Sequence, residues 1–292
     1  MSISTAGLLL ALGSSLAWCG LDYTRKVLVG RLSSLALLFW LTLGCVPFFL
    51  AWGWSEGMGA PLPGYWLPAI ASVVLNLAAN LCFFEAIKRA PFSVTIPLLS
   101  LTPVFAALVA IPVIGEWLTW LQTLGVLLVV VGAFLLQRSP AGSLSDGYDP
   151  AQIRVGILLM TATAAMWSAT IVIDKKALES SQGSFHGVVL LSGVALLSLA
   201  VLALRGQVGE IRAAAKTPWT LFAALVVSSL ALGTQFLALP LVPVGLFETL
   251  KRAIGNGMAL LVGALLFREE VTPGKILAAI LMAVGAAAVL LG

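Results

Sequence analysis

From Leu121 to Leu136 the chain reads LQTLGVLLVVVGAFLL, without one ionisable side chain, and runs of this kind recur along its length. A helix needs about 20 predominantly apolar residues to cross the roughly 30 Å hydrocarbon layer of a bilayer. Apolar runs bounded by charge, Gly or Pro fall at approximately 5–25, 34–53, 65–87, 93–114, 118–137, 153–174, 187–205, 218–240, 244–267 and 273–291, which predicts ten membrane helices. Composition agrees, with 60% hydrophobic and 10% charged residues against about 25% charged in soluble domains. The opening MSISTAGLLLALGSSLAW has no basic segment before its apolar run, so it reads as the first membrane helix and not as a signal peptide. The expected fold class is an all-α membrane protein.

The segment RSPAGSLSDGYDPAQ, 138–152, has linker composition and would make a poor helix in lipid. It divides the chain into 1–137 and 153–292, with five spans each. The halves repeat. GEWLTWLQTLGVLLVVVGAFLL lies over REEVTPGKILAAILMAVGAAAVLL, matching Glu116 to Glu269, Thr119 to Thr272 and Gly132 to Gly285. The same offset brings Trp66, Val73, Val74 and Phe83 onto Trp219, Val226, Val227 and Phe236, and a slightly shorter one brings Gly7, Trp18 and Lys26 onto Gly156, Trp167 and Lys175. Matches of Leu or Val arise by chance between any two apolar helices, whereas the Glu, Thr, Gly and Trp matches carry weight. An odd number of spans per copy makes the second copy enter the membrane from the opposite side, giving two inverted five-helix repeats, an architecture typical of secondary transporters.

The close of the first repeat, AIKRAPFSVTIPLLSLTPVFAALVAIPVIGEWLTWLQTLGVLLVVVGAFLL, with Pro103, Glu116 and Gly132, resembles the EamA-type carriers of the drug/metabolite transporter superfamily. The echo at Glu269, Thr272 and Gly285 extends the resemblance over nearly the whole chain. It implies ten helices in two inverted halves, with a central cavity lined by the first, third and fourth helices of each repeat, in a multi-pass protein of a bacterial inner membrane. The chain also departs from the pattern. Where the first repeat has SLTPVF the second has AIGNGM, so Asn256 between Gly255 and Gly257 replaces Pro103, and the ninth helix opens on Glu248, Lys251 and Arg252.

Of the 16 Lys and Arg residues, all but Lys175, Lys176, Lys251 and Arg252 fall on one side of the predicted topology. The positive-inside rule makes that side cytoplasmic and places both termini outside, opposite to many of the carriers the chain resembles. Basic loops of this kind account for the net charge of +4 without any nucleic-acid partner.

Candidate site residues are those polar or aromatic groups that lie deep in apolar spans. Glu248 with bases at i+3 and i+4 places three charges on one helical face, as do Asp22, Arg25, Lys26 and Glu85, Lys88, Arg89. The latter two sit at helix C-termini, where bases suit the macrodipole and reach the interface. The ninth-helix set sits at an N-terminus on the base-poor side. The apolar run from Ala253 to Phe267 spans only about 22 Å at ~1.5 Å per residue, so the helix must extend back through the charges. Lys251 and Arg252 then serve either a solute cavity or a structural ion pair. Trp18 and Trp167, matched by the repeat, are either aromatic walls for a solute or core packing. Asn76 and Asn80, at i and i+4 with Phe83 nearby, Gln235 and Asn256 offer amides to a solute or to neighbouring helices. Pro97 and Pro103 in the fourth helix, and Gly255 and Gly257 in the ninth, are interruptions at corresponding places, which in inverted repeats point to a binding site.

Other residues read as structural. Glu116 and Glu269 are expected to cap helices five and ten. His186, the single histidine, is expected to be solvated in a loop. Cys19, Cys45 and Cys82 lie in separate apolar runs and suit packing better than disulfides or metal binding. No GxxxxGK[ST] motif occurs and no histidine-based nucleophile pair is available, so neither ATP hydrolysis nor another enzyme activity is expected, and no cofactor. The expected function is a secondary transporter that moves small organic metabolites by alternating access, exporting amino acids or related amphiphilic compounds. The alternatives are a multidrug or quaternary-amine carrier, which wants an unpaired acid in an aromatic cavity, and a lipid-handling or structural membrane protein. A small-molecule substrate and the lipid bilayer are the expected partners; a coupling ion such as the proton is left open.

Overall fold

The computed structural model describes residues 4–29, 32–90, 95–137, 149–266 and 273–292, and among these every regular element is a helix. The α-helices are α1 (Thr5–Val29), α2 (Ser34–Leu43), α3 (Val46–Glu56), α4 (Trp66–Arg89), α5 (Thr102–Ile114), α6 (Trp120–Gln137), α7 (Pro150–Leu178), α8 (Gly183–Leu204), α9 (Pro218–Ala238), α10 (Val244–Leu266) and α11 (Pro273–Leu291). Short 3-10 helices cover Ile96–Leu101 and Val208–Lys216. Seven spans among the described residues are long and apolar enough to cross a membrane, α2 and α3 counting as one run, Ser34–Glu56. The runs Leu98–Ile114 and Trp120–Leu135 are apolar but shorter, and α10 is 23 residues long with three charges near its start. Glu269 and Thr272, and the loop bases Arg31, Arg138 and Arg268, lie outside the described residues.

Departures from the expected spans have local causes. The second span is two helices because Pro47, at the head of α3, has no N–H to donate to the turn before it. At Gly44 α2 closes, with the Gly44 N–H donating to the Trp40 carbonyl and the Cys45 N–H to the Thr42 carbonyl. Prolines shape the fourth span in the same way: Pro97 heads the 3-10 turn and Pro103 heads α5, which ends at Gly115 in a left-handed conformation, φ 68°. By contrast α10 runs unbroken through Gly255, Asn256 and Gly257, so the interruption expected there does not break the helix. Glycine costs a helix about 1 kcal/mol but keeps its N–H, so flanking turns carry it. Helix α7 begins at Pro150, inside the expected linker, with the Asp149 carboxylate accepting from the N–H of Ala151 at 3.0 Å. Proline is well placed there, since a first-turn N–H has no helical partner to lose.

The described residues form two compact units. The first comprises residues 1–78 and 173–242, the second 79–172 and 243–292, so α4 and α7 each contribute to both. In the first unit α1 packs on α9, while α2 and α3 pack on α8. Its core gathers Leu21, Leu28, Leu37 and Leu41 with Leu221 and Ala224, and a second cluster forms around Tyr65, Ala69 and Ala177. Gly7 lets α1 approach the chain just beyond α9, since a Cβ there would lie 2.7 Å from that of Leu241, and the Ser14 hydroxyl of α1 donates to the Ala231 carbonyl of α9 at 2.9 Å.

In the second unit α6 packs along α11, and α5 and α6 pack on α10. Gly125 and Gly285 face each other so closely that a Cβ on either would come within 2.6 Å of the other's carbonyl oxygen. One turn and more away, Gly132 lies against Ala278 and Met282. Contacts that ascend one helix descend the other, so α6 and α11 are antiparallel. The first part of α7 meets the last part of α4 similarly: a Cβ on Gly156 would lie 2.6 Å from that of Ala90, and Thr163 donates to the Ala79 carbonyl at 3.4 Å. Leu, Ile and Val side chains are exposed along many helices, and Trp54, Trp66, Trp117, Trp120 and Trp219 are exposed at or beside helix ends, as lipid-facing surfaces and interfacial tryptophans require.

Candidate functional site

In the first unit Trp18, on α1, donates its indole N–H to the Gln235 side-chain oxygen on α9 at 2.9 Å. Its ring is half-buried against the Leu21 cluster, with the Arg25 guanidinium 5.6 Å from the ring centre and Asp22 bridging to Arg25 at 3.8 Å. Asn76 donates to the Ser72 hydroxyl at 3.5 Å.

Ser72 leads into a network that the sequence reading did not single out. Its hydroxyl donates to the Asp174 carboxylate, whose Oδ1 also lies 3.1 Å from His186 Nε2. His186 Nδ1 is 3.2 Å from the Tyr65 hydroxyl. All four side chains are buried, the His186 ring completely, so the expectation of a solvated loop histidine is corrected. Helix α8 starts at Gly183, a full turn earlier than expected, and carries His186 inward onto Tyr65 and Phe236. Asp174 was the available signal, as a carboxylate ending the otherwise apolar ATIVID. Beside it Lys175 is buried with its ammonium on the Val242 carbonyl at 2.6 Å.

In the second unit the Trp167 ring, on α7, packs on Phe83 of α4, with centres 5.5 Å apart and planes at 39°. Both line a core of Ala86, Leu99, Met160 and Ala164. Asn80 is buried on the same helix as Phe83. The charged opening of α10 is helical throughout, as the short apolar run required. Lys251 pairs with the buried Glu248 and lies 5.6 Å from the Phe247 ring centre. Arg252 turns to a different partner, its Nε donating to the Thr102 hydroxyl at the head of α5 at 2.9 Å. One turn further along the same stripe of α10, the Asn256 Nδ2 is buried and, among the described residues, has no hydrogen-bond partner.

Trp18, Asn76 and Gln235 thus belong to one unit, and Asn80, Phe83, Trp167, Glu248, Lys251, Arg252 and Asn256 to the other. Glu116 corrects another expectation. Its carboxylate accepts from the Val244 N–H at 2.9 Å, so it caps α10, a helix distant from it in sequence. The helix that follows it in sequence, α6, has its own cap, in which the Thr119 hydroxyl accepts from the Gln122 N–H at 3.1 Å and the Gln122 side chain accepts from the Thr119 N–H at 2.9 Å. Cys19, Cys45 and Cys82 are all free thiols.

Residues 5–138, the segment holding the first five expected spans, match the EamA-like transporter family. Through this half the chain belongs to that family. It is therefore an integral multi-pass membrane protein and a transporter of the drug/metabolite superfamily, as the resemblance implied. Twenty-nine chains of solved structures match as well. One, described only as a crystal structure of a protein, gives a TM-score of 0.77 at 22% identity with 100% of each chain covered, a likeness that carries the fold alone. No curated protein sequence matches the chain.

Proposed function

We propose that this EamA-type protein is a secondary carrier that works by alternating access in a bacterial inner membrane and exports amino acids or related amphiphilic metabolites. The observation that carries this reading is the polar stripe of α10, where Glu248, Arg252 and Asn256 succeed one another at i, i+4 and i+8. An arginine and a buried amide donor one turn apart suit a carboxylate, which binds charge-assisted donors well. Binding there would also give the Asn256 amide an acceptor, and a buried donor left unmade costs about 1–3 kcal/mol. Lys251, held by Glu248, keeps the acid of the stripe paired. That pairing favours a carboxylate-bearing solute over a quaternary amine, which needs an uncompensated acid.

Two inverted repeats, 1–137 and 153–292, are part of the same reading, and the packing of α6 on α11 supports them. Gly132 touches Ala278 and Met282, and its sequence match Gly285 touches Gly125 and Val129, the residues that the same offset pairs with Ala278 and Met282. A two-fold relation between copies produces reciprocal contacts of this kind. Other pairs agree: Ser14 donates to a carbonyl on α9, and Thr163, its equivalent, donates to a carbonyl on α4.

A thermal-shift screen of the purified protein against amino acids, nucleosides, amines and lipid head groups tests the substrate class, since a ligand bound by the native state alone raises apparent stability. Amino acids are expected to raise the melting temperature and to exchange across proteoliposome membranes in saturable counterflow. Stabilisation by amines or lipids alone, with no saturable flux of amino acids, would overturn the reading.

A further inference from the structure

We propose that Asp174 and His186, with Tyr65 and Ser72, form a proton-binding site that couples the carrier to the proton gradient. In the neutral form of His186, the Tyr65 hydroxyl donates to Nδ1 while Nε2–H and the Ser72 hydroxyl donate to the Asp174 carboxylate, and each contact the structure shows is used. Adding one proton to Nδ1 turns the Tyr65 hydroxyl from donor to acceptor and leaves Nε2–H on Asp174. The same heavy-atom positions therefore hold an imidazolium–carboxylate pair. Release reverses the step, and the proton returns to water.

The surroundings suit both states. Phe236 of α9 lies 5.1 Å from the imidazole, within the range at which an aromatic ring favours a cation. The other charged groups nearby are Lys175 on the Val242 carbonyl, the exposed Lys176–Glu179 pair, and Glu56 of α3, which accepts from Ser184 at 3.1 Å. None of these contacts uses a polar atom of the network. An open cavity of about 300 Å³ is lined by Leu62, Glu179 and Gln182, among others. Tyr65 hydrogen-bonds back to Leu62 and His186 back to Gln182, so the network lies one turn from the cavity wall through both residues. Ionisable groups buried in membrane helices are costly and mark ion and proton pathways. The arrangement occurs once, because the repeat-equivalent of Asp174 is Arg25.

His186 is the only histidine, so labelling histidine with nitrogen-15 reports this site alone when the full chain is purified through a histidine-free tag. The imidazole nitrogens are expected to change from the neutral Nε2–H form to the imidazolium as the buffer is acidified. Asp174→Asn should lose the imidazolium at the acid end. A single unchanged form throughout the acidification, or the same titration in Asp174→Asn, would overturn the site. Coupling itself rests on the carrier reading and is read separately: an imposed pH gradient should change amino-acid counterflow several-fold in the native protein and leave His186→Gln unaffected. An unaltered pH response in His186→Gln would overturn coupling. Absence of amino-acid flux in every variant, together with an intact titration, would overturn the substrate class and with it amino-acid coupling, but not the proton site.

Discussion

At the scale of single residues, Arg252 is the most informative side chain. Sequence spacing pairs it with Glu248, yet its Nε goes to Thr102, leaving Lys251 to hold the acid. In the proposed reading the terminal amino groups of the guanidinium, outside that bond, donate to a substrate carboxylate. Arg252→Gln is expected to weaken binding of carboxylate-bearing solutes by about 1.5–3 kcal/mol, the range for hydrogen bonds to charged groups, while amide analogues lose less. Calorimetry on matched acid and amide ligands would check it, and equal loss for both would reduce the set to a structural ion pair. Trp18 and Trp167 make a second comparison. Each already has a partner, Gln235 for one and Phe83 for the other, so packing accounts for part of each. If they also wall a solute site, single replacement by Ala weakens solute binding with the fold retained; normal binding with earlier melting in both variants would leave packing as their whole role.

At the scale of helices, close approach and capping set the expectations. Gly285→Val places branched carbons where Gly125 O and Val129 already lie within 2.9 Å of a single added Cβ. Overpacking of that kind costs about 1–3 kcal/mol, and the detergent-solubilised variant should melt earlier than native protein. Gly13→Ala is the control, since nothing lies within 4 Å of its Cβ position. For α10, Glu116→Ala removes the acceptor for the Val244 N–H, a loss of about 0.5–2 kcal/mol typical of helix caps. Because α10 carries the polar stripe, that variant should also bind carboxylate solutes less well, which replacing the local box residue Gln122 should not reproduce.

At the scale of the whole molecule, the proposed topology is the claim to test. An experimental structure is expected to show residues 5–137 superposing on 153–291 after inversion about an axis in the membrane plane, with parallel halves ruling the repeat out. Both termini are expected on the outer face. A cysteine appended to either end should react with an impermeant thiol reagent in sealed right-side-out vesicles, and protection from the reagent would reverse the assignment.

Seven apolar spans long enough to cross a membrane are legible in the amino-acid sequence. Transfer of a helix into lipid depends chiefly on the composition of that helix, and proline-driven breaks such as those at Pro47 and Pro97 are equally local in cause. Three features were decided only by tertiary structure. Glu116 caps a helix that begins at Val244, Arg252 reaches Thr102 on α5, and His186 leaves an expected loop for a buried place between Asp174 and Tyr65. Each depends on which helices become neighbours. A polar group buried among apolar helices takes whichever partner packing brings within about 3 Å, and separation along the chain carries almost no information about that.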